Sequence, residues 1–162
     1  MDLKEICSFR YRVVDPDISL QRVSEIMKNS QVDTVIVAKN FEMSQRPMGL
    51  ITDIDLMHQY FIQREHLSKI SAISIIDRPL IKVFNTTSIN DAIRLMSEKG
   101  LRRVIVTDFY NNIYGILTVE GIMRFLSEQM NALNQVYDSE FNFEKMIREE
   151  SEQLSFHYQM AN

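Results

Sequence analysis

Thr52 and Asp55 are the residues whose types and spacing carry the clearest chemistry in this chain. They close the run Gly49-Leu50-Ile51-Thr52-Asp53-Ile54-Asp55, in which an apolar strand ends in a threonine and turns directly into a helix. An ionised carboxylate has only acceptor sites, which suits the two donating hydroxyls of a vicinal diol. The neighbouring hydroxyl adds one bond, and the start of the helix offers free N–H groups to a nearby anion. The same spacing also describes a capping box, with Thr52 as N-cap and Asp55 as its acidic partner three residues on. Both readings stand at this point.

The run has an echo, Gly115-Ile116-Leu117-Thr118-Val119-Glu120-Gly121, and the stretches around the two also match. Cys7 and Ile76, Val14 and Val83, Ser19 and Ser88, Met27 and Met96, and Val35 and Val104 are each separated by 69 positions. Gly49 and Gly115 are separated by 66, as are Thr52 and Thr118, so the first copy carries three extra residues in the loop before its glycine. An offset that holds through a helix and a strand and changes only in a polar loop marks a duplicated structural unit. The copies differ at the chemically interesting position, because Gly121 stands where the first copy has Asp55. Charge differs at the start of the middle strand, where Asp33 and Thr34 in the first copy correspond to Arg102 and Arg103 in the second.

The elements that must position these residues follow from periodicity. In the first copy we predict a strand over residues 11–14, closed by the turn Asp15-Pro16-Asp17, then a helix capped by Ser19 and running to about Ser30. A buried strand over residues 32–38, a polar loop over 39–47, a strand over 48–52 and a helix from Asp53 complete the unit. The connector over residues 63–74 is expected to be partly helical. The second copy repeats the order: strand 80–83, a helix over 89–99 capped by Ser88, with Ile89, Ala92, Ile93 and Met96 inward, and stopped by Gly100, strands 103–107 and 113–117, and a helix from Glu120. Each unit buries only one face of a small sheet alone, so the two are expected to pack on each other. Fold class α+β follows, with domains over residues 3–65, 73–129 and a helical extension over 130–162.

Beyond Ser127 the pattern changes. Leu126, Leu133, Ile147 and Leu154 recur at sevenfold spacing, with Val136 and Phe143 three positions after that register, although Glu140 and Glu144 interrupt the stripe. The readings are a long helix or imperfect coiled coil, or a helix folded back on the pair. Its many charges describe a solvated face.

Composition narrows the function classes. With 45% hydrophobic residues in 162, the chain has the apolar material for one good core, and 4 Gly with 3 Pro leave little room for long disordered linkers. A net charge of -4 gives no electrostatic footprint for nucleic acid. No stretch reaches the roughly 18 apolar residues that a membrane span needs. The single Cys7 cannot form an internal disulfide and no secretory start is legible, so a cytoplasmic location is the expectation. His58, His66 and His157 are scattered without Cys or paired carboxylates at ligand spacing, so no metal is expected. No nucleophile motif or Gly-rich phosphate loop exists, and an enzyme is not expected. The 10 methionines are read as flexible core filler.

The duplicated strand-helix-strand-strand-helix unit, with Gly-apolar-apolar-Thr-x-x-Asp at its last strand-to-helix junction, resembles a tandem pair of CBS domains over residues from about Leu3 to Gln129. The resemblance implies a non-catalytic regulatory module, two copies about a pseudo-two-fold axis with two clefts between them, and assembly into a homodimer. It implies AMP, ADP, ATP or S-adenosylmethionine as the regulatory ligand. It places Thr52 and Asp55 on the ribose, with Asp53 beside them, Thr118 as the weaker equivalent in the second copy, and Ile51 and Ile76 against adenine. Basic residues at the start of the middle strand contact phosphate in such pairs, which assigns Arg102 or Arg103 that role in one composite site. Arginine's planar fork suits it. The competing reading makes both arginines solvated charges paired with nearby acids, and makes Ile51 and Ile76 plain core. With Gly121 in place of an aspartate, the second cleft is expected to be degenerate. The favoured function is therefore a sensor that relays ligand state through the C-terminal helix to a partner or an output domain, such as a transcriptional regulator or cyclic-nucleotide enzyme. The alternative is a dimerisation scaffold whose clefts bind nothing.

Overall fold

The computed structural model describes residues 3–41, 44–63 and 66–160. They form β1 (Arg12–Val14), α1 (Leu20–Ser30), β2 (Thr34–Phe41), β3 (Ser44–Thr52) and α2 (Asp53–Gln63) in the first copy. The second copy has β4 (Lys82–Phe84), α3 (Ile89–Lys99), β5 (Arg103–Thr107), β6 (Ile113–Thr118) and α4 (Val119–Met160). Short 3-10 turns at Leu3–Glu5, Leu67–Lys69 and Ala72–Ile75 precede and join the copies. Each copy holds a three-stranded sheet in sequence order, its first pair parallel and its second antiparallel. Both carry a bulge at the same place, between Val37 and Ala38 and between Val106 and Thr107. The fold is the expected α+β pair.

Local chemistry explains the helix boundaries. Ser19 and Ser88 are both extended, and their hydroxyls accept from Arg22 N and Asp91 N. That satisfies one of the donors every helix start leaves open. At the other end Gln31 and Gly100 occupy equivalent left-handed positions, with φ of 53° and 63°. Glycine adopts that conformation without Cβ crowding; glutamine does not. A Gln31→Gly chain should therefore gain about 0.5–1 kcal/mol, the relief of crowding outweighing the added freedom of the unfolded chain. Urea unfolding checks this, and a loss of stability would contradict it.

Over Thr34–Ala38, β2 is buried on both faces, which is why this part reads as a β-branched run and not as an alternation. Val35 and Val37 face α1 and α2, where Leu20, Val23, Met27, Ile51 and Leu56 complete the core of the first copy. Ile36 and Ala38 point the other way, onto Ile105 and Ile116 of the second copy. Ile36 and Ile105 are equivalent residues, so the two sheets meet through matching positions.

The lead-in of each copy lies on the sheet of the other. Ser8 exchanges backbone hydrogen bonds with Ile116 at 2.8 and 3.0 Å, while Ile76 packs over Gly49. The connector is stitched to the first copy by Leu20 N to Ile70 O (2.9 Å) and Ala72 N to Ile18 O (2.8 Å).

Three expectations are corrected. Residues 39–41 and 44–47 are not loop: β2 and β3 extend as an antiparallel arm that pairs Ala38 with Pro47 and Lys39 with Arg46, while residues 42 and 43 lie outside the described residues. Its exposed polar residues give no apolar alternation, and Pro47 reads locally as a break. The methionines are not mainly core. Met27 and Met96 are buried, but Met48, Met57, Met123, Met130 and Met146 are exposed. Finally, Ile93, expected inward on α3, is exposed, so Ala92 and Met96 carry that face.

The chain divides into two compact units, Met1–Ile122 and Met123–Asn162. Within the second unit α4 is continuous, and Leu126, Leu133, Val136, Phe143 and Ile147 are exposed along it. The side chain of Leu154 lies outside the described residues. No described helix is long and apolar enough to cross a membrane.

Candidate functional site

The antiparallel register of β2 and β3 sets Thr34 opposite Thr52, and Asp33 O accepts from Asp53 N at 3.1 Å. The start of β2 and the start of α2 are thereby locked side by side. At that edge Thr52 and Asp55 form a reciprocal set. Asp55 Oδ2 accepts from Thr52 N at 2.8 Å and from the Thr52 hydroxyl at 2.7 Å, while Thr52 Oγ1 accepts from Asp55 N at 3.3 Å. This is capping-box geometry. It uses one carboxylate oxygen; Oδ1 of the exposed Asp55 has no partner among the described residues and remains able to accept from a diol.

The helix start was expected to offer N–H groups to an anion, and the structure corrects this. Asp53 N is bonded to Asp33 O, Ile54 N to Asp53 Oδ1 at 2.9 Å, and Asp55 N to Thr52 Oγ1. The chain itself has taken these donors. Asp53 spends one carboxylate oxygen in doing so and is otherwise exposed.

Both arginines meet acids. Arg103 Nη2 donates to Asp33 Oδ2 at 2.8 Å, an ion pair that crosses between copies, with the Arg103 side chain only 21% exposed. Arg102 Nη2 donates to Glu120 Oε1 at 2.6 Å within the second copy, with both side chains largely in solvent. The Glu120 carboxyl is held below its usual range, chiefly by its own backbone N–H at the helix start and further by Arg102. Asp33 also accepts from the Thr34 hydroxyl, at 2.9 Å through Oδ1. Thr34 is buried, so Asp33 is anchored by both its oxygens.

Apolar residues complete the surroundings. Ile51 is fully buried in the core of the first copy, whereas Ile76 is partly buried and lies directly on Gly49. In the second copy Thr118 Oγ1 accepts from Gly121 N at 2.9 Å. A Cβ on Gly121 would lie 3.4 Å from Ile6 O, so the lead-in backbone closes in where the first copy has its aspartate. Cys7, the equivalent of Ile76, lies on Gly115, and burial pushes its thiol up to about 11. No group of His, Cys, Asp and Glu among the described residues could hold a metal ion.

Thr52, Asp53 and Asp55 are thus brought together with Asp33 and Arg103, while Arg102 and Thr118 sit at the corresponding edge of the second copy. Asp33 was not singled out from the sequence as a site residue. The signal was present in the opposite charges of Asp33 and its counterpart Arg102 at equivalent places in a pseudo-symmetric pair.

A duplicated α+β unit, with its Thr-x-x-Asp helix start beside a cross-copy ion pair, defines a paired-domain architecture. The chain belongs to the CBS domain family, whose model matches twice, at residues 3–61 and 70–128. An uncharacterized protein of Methanopyrus kandleri is 28% identical over 98 residues, covering 60% of this chain and 48% of that protein. The chain thus spans about half the length of that relative. Among solved structures, a CBS domain protein of Pyrobaculum aerophilum complexed with AMP is 17% identical, with a TM-score of 0.64 over 75% of this chain and 89% of that one. A CBS domain pair complexed with 5′-methylthioadenosine and S-adenosyl-L-methionine is 22% identical, with a TM-score of 0.64 over 78% and 99%. At these identities the likeness is one of fold.

Proposed function

We propose that this chain is a non-catalytic sensor that binds an adenosine-containing ligand at the Thr52–Asp55 edge and relays the bound state to a partner or an attached output domain. The single observation that carries the reading is the division of labour in Asp55. One oxygen fixes the helix start and holds the carboxylate in place, and the other is left facing solvent beside the Thr52 hydroxyl. A preorganised acceptor with a free oxygen is what a ribose diol requires. Ligands in two structures of the same fold, AMP in one and 5′-methylthioadenosine with S-adenosyl-L-methionine in the other, support the adenosine class. Ile76 would border the base and Arg103 the far side of the ligand. In the second copy Gly121 offers no carboxylate, so Thr118 and Arg102 line a degenerate cleft.

A ligand at this edge touches residues that couple the two copies, because Asp33 is tied to Arg103. It shifts their packing only by its differential affinity for the two arrangements. Helix α4 would carry the change outward. Homodimerisation in a cytoplasmic setting belongs to the same reading, and the exposed Ile54, Met57, Tyr60, Phe61 and Ile62 of α2 are what a second copy would cover.

The test is thermal unfolding of the chain against AMP, ADP, ATP, S-adenosylmethionine, 5′-methylthioadenosine and adenosine. A ligand at 100 times its dissociation constant adds about 2.7 kcal/mol. The second reading, a ligand-free dimerisation scaffold, is favoured by the complete capping box and the paired arginines. No midpoint shift with any adenosine compound would decide for it.

A further inference from the structure

We infer that the Thr52–Asp55 edge selects an adenosine compound without phosphate, a neutral thioether nucleoside or a sulfonium nucleoside, over AMP, ADP or ATP. The inference rests on the adenosine reading above and concerns the charge of the ligand.

A phosphate needs cationic side chains or free N–H groups, and this edge has committed both. Arg103, the basic residue that reaches the first copy, is bonded to Asp33 and mostly buried in that position. Arg102 is bonded to Glu120. The N–H groups of Asp53, Ile54 and Asp55 are all bonded within the chain. What remains is acidic: Asp33, Asp53 and Asp55 set three carboxylates against the single guanidinium of Arg103. Beyond Ile76, Asp77 and Arg78 are both exposed, 4.0 Å apart, and together add no net charge.

A phosphate drawn to Arg103 would share that guanidinium with Asp33, which already accepts from its Nη2. The incoming anion would then lie beside the Asp33 carboxylate, with Asp53 and Asp55 on the same edge. Like charges gathered on one edge repel. A neutral nucleoside avoids that repulsion and keeps its diol for Asp55. A sulfonium gains from the same carboxylates.

The experiment is isothermal titration of the full chain with 5′-methylthioadenosine, S-adenosylmethionine, adenosine and AMP, in low and in physiological salt. Expected is binding of 5′-methylthioadenosine at least about tenfold tighter than AMP, a gap that narrows as salt screens the carboxylates. Asp33→Asn removes one carboxylate and frees Arg103, so AMP affinity should rise about tenfold while 5′-methylthioadenosine changes less than about threefold. Asp53→Asn, at an exposed position of the helix start, should narrow the gap as well and covers the case in which Asp33→Asn fails to fold. AMP binding as tightly as 5′-methylthioadenosine to the unmodified chain, or a gap unmoved in both variants, would overturn the inference and leave the adenosine reading intact. Binding of none of the four compounds would remove both.

Discussion

An Asp55→Ala chain should bind its nucleoside ligand at least about a hundredfold more weakly than the unmodified chain, a loss of about 2.7 kcal/mol. The size follows from the bonds removed. A ribose diol donates two hydrogen bonds to one carboxylate, and bonds to a charged acceptor contribute about 1.5–3 kcal/mol each when the ligand's alternative is water. The same substitution also breaks the capping box, because Asp55 Oδ2 holds Thr52 N and the Thr52 hydroxyl. Loss of a cap costs about 1 kcal/mol, so the variant should melt earlier even without ligand. Melting alone therefore does not separate the two roles of Asp55; the ligand-induced shift does. Asp55→Asn sharpens the distinction. Its amide oxygen keeps an acceptor for the cap, but it presents the diol with a neutral group of which half is a donor. A chain with near-normal stability and no ligand response identifies Asp55 as a binding residue. An Asp55→Ala chain whose ligand response matches that of the unmodified protein would make Asp55 a cap and nothing more.

The second large effect is expected at Gly49. A Cβ there would lie 2.5 Å from Cδ1 and 2.7 Å from Cγ2 of Ile76, closer than side-chain atoms approach. Rotation about χ2 of Ile76 moves Cδ1 away but leaves Cγ2 where it is, and an isoleucine has few χ1 alternatives. Gly49→Ala should accordingly destabilise the chain by about 2–3 kcal/mol, the upper part of the range for overpacking. Gly115→Ala is milder, since its Cβ would meet Cys7 Cβ at 3.0 Å and Ser8 O at 3.2 Å. Denaturant unfolding of both variants measures the difference. The Gly49→Ala, Ile76→Ala pair should be less destabilised than the sum of its parts, because truncating Ile76 makes the space that alanine needs. Additive losses would show that the close approach is not the cause. The two glycines stand where the lead-in of one copy crosses the strand of the other, so their cost is a measure of how tightly the copies are joined.

Much of this architecture was legible in the amino-acid sequence, and the reason is physical. Ser19, Ser88, Gly100 and the Thr52–Asp55 box act on neighbours no more than four residues away, so their effect is written in local spacing. The constant offset of 69, shifting to 66 in one loop, carried the duplication and with it the fold class. The chemistry of a Thr-x-x-Asp helix start was legible for the same reason, down to its two alternative uses.

Long-range encounters decided the rest. Residues 39–41 and 44–47 pair as an antiparallel arm because backbone hydrogen bonds, which have no side-chain signature, continue past the apolar part of the strands. The family resemblance puts Arg102 or Arg103 on a phosphate and leaves pairing with nearby acids as the alternative, whereas the fold places Arg103 on Asp33, 70 positions away, through the packing of one copy against the other. Ile36 and Ile105 read as generic strand core; only the packing of two sheets makes them the seam between copies. The residue types at the edge were thus settled by the sequence, but their charge balance was settled by the fold. A carboxylate and a guanidinium attract wherever the chain delivers them, and no local pattern records where that is.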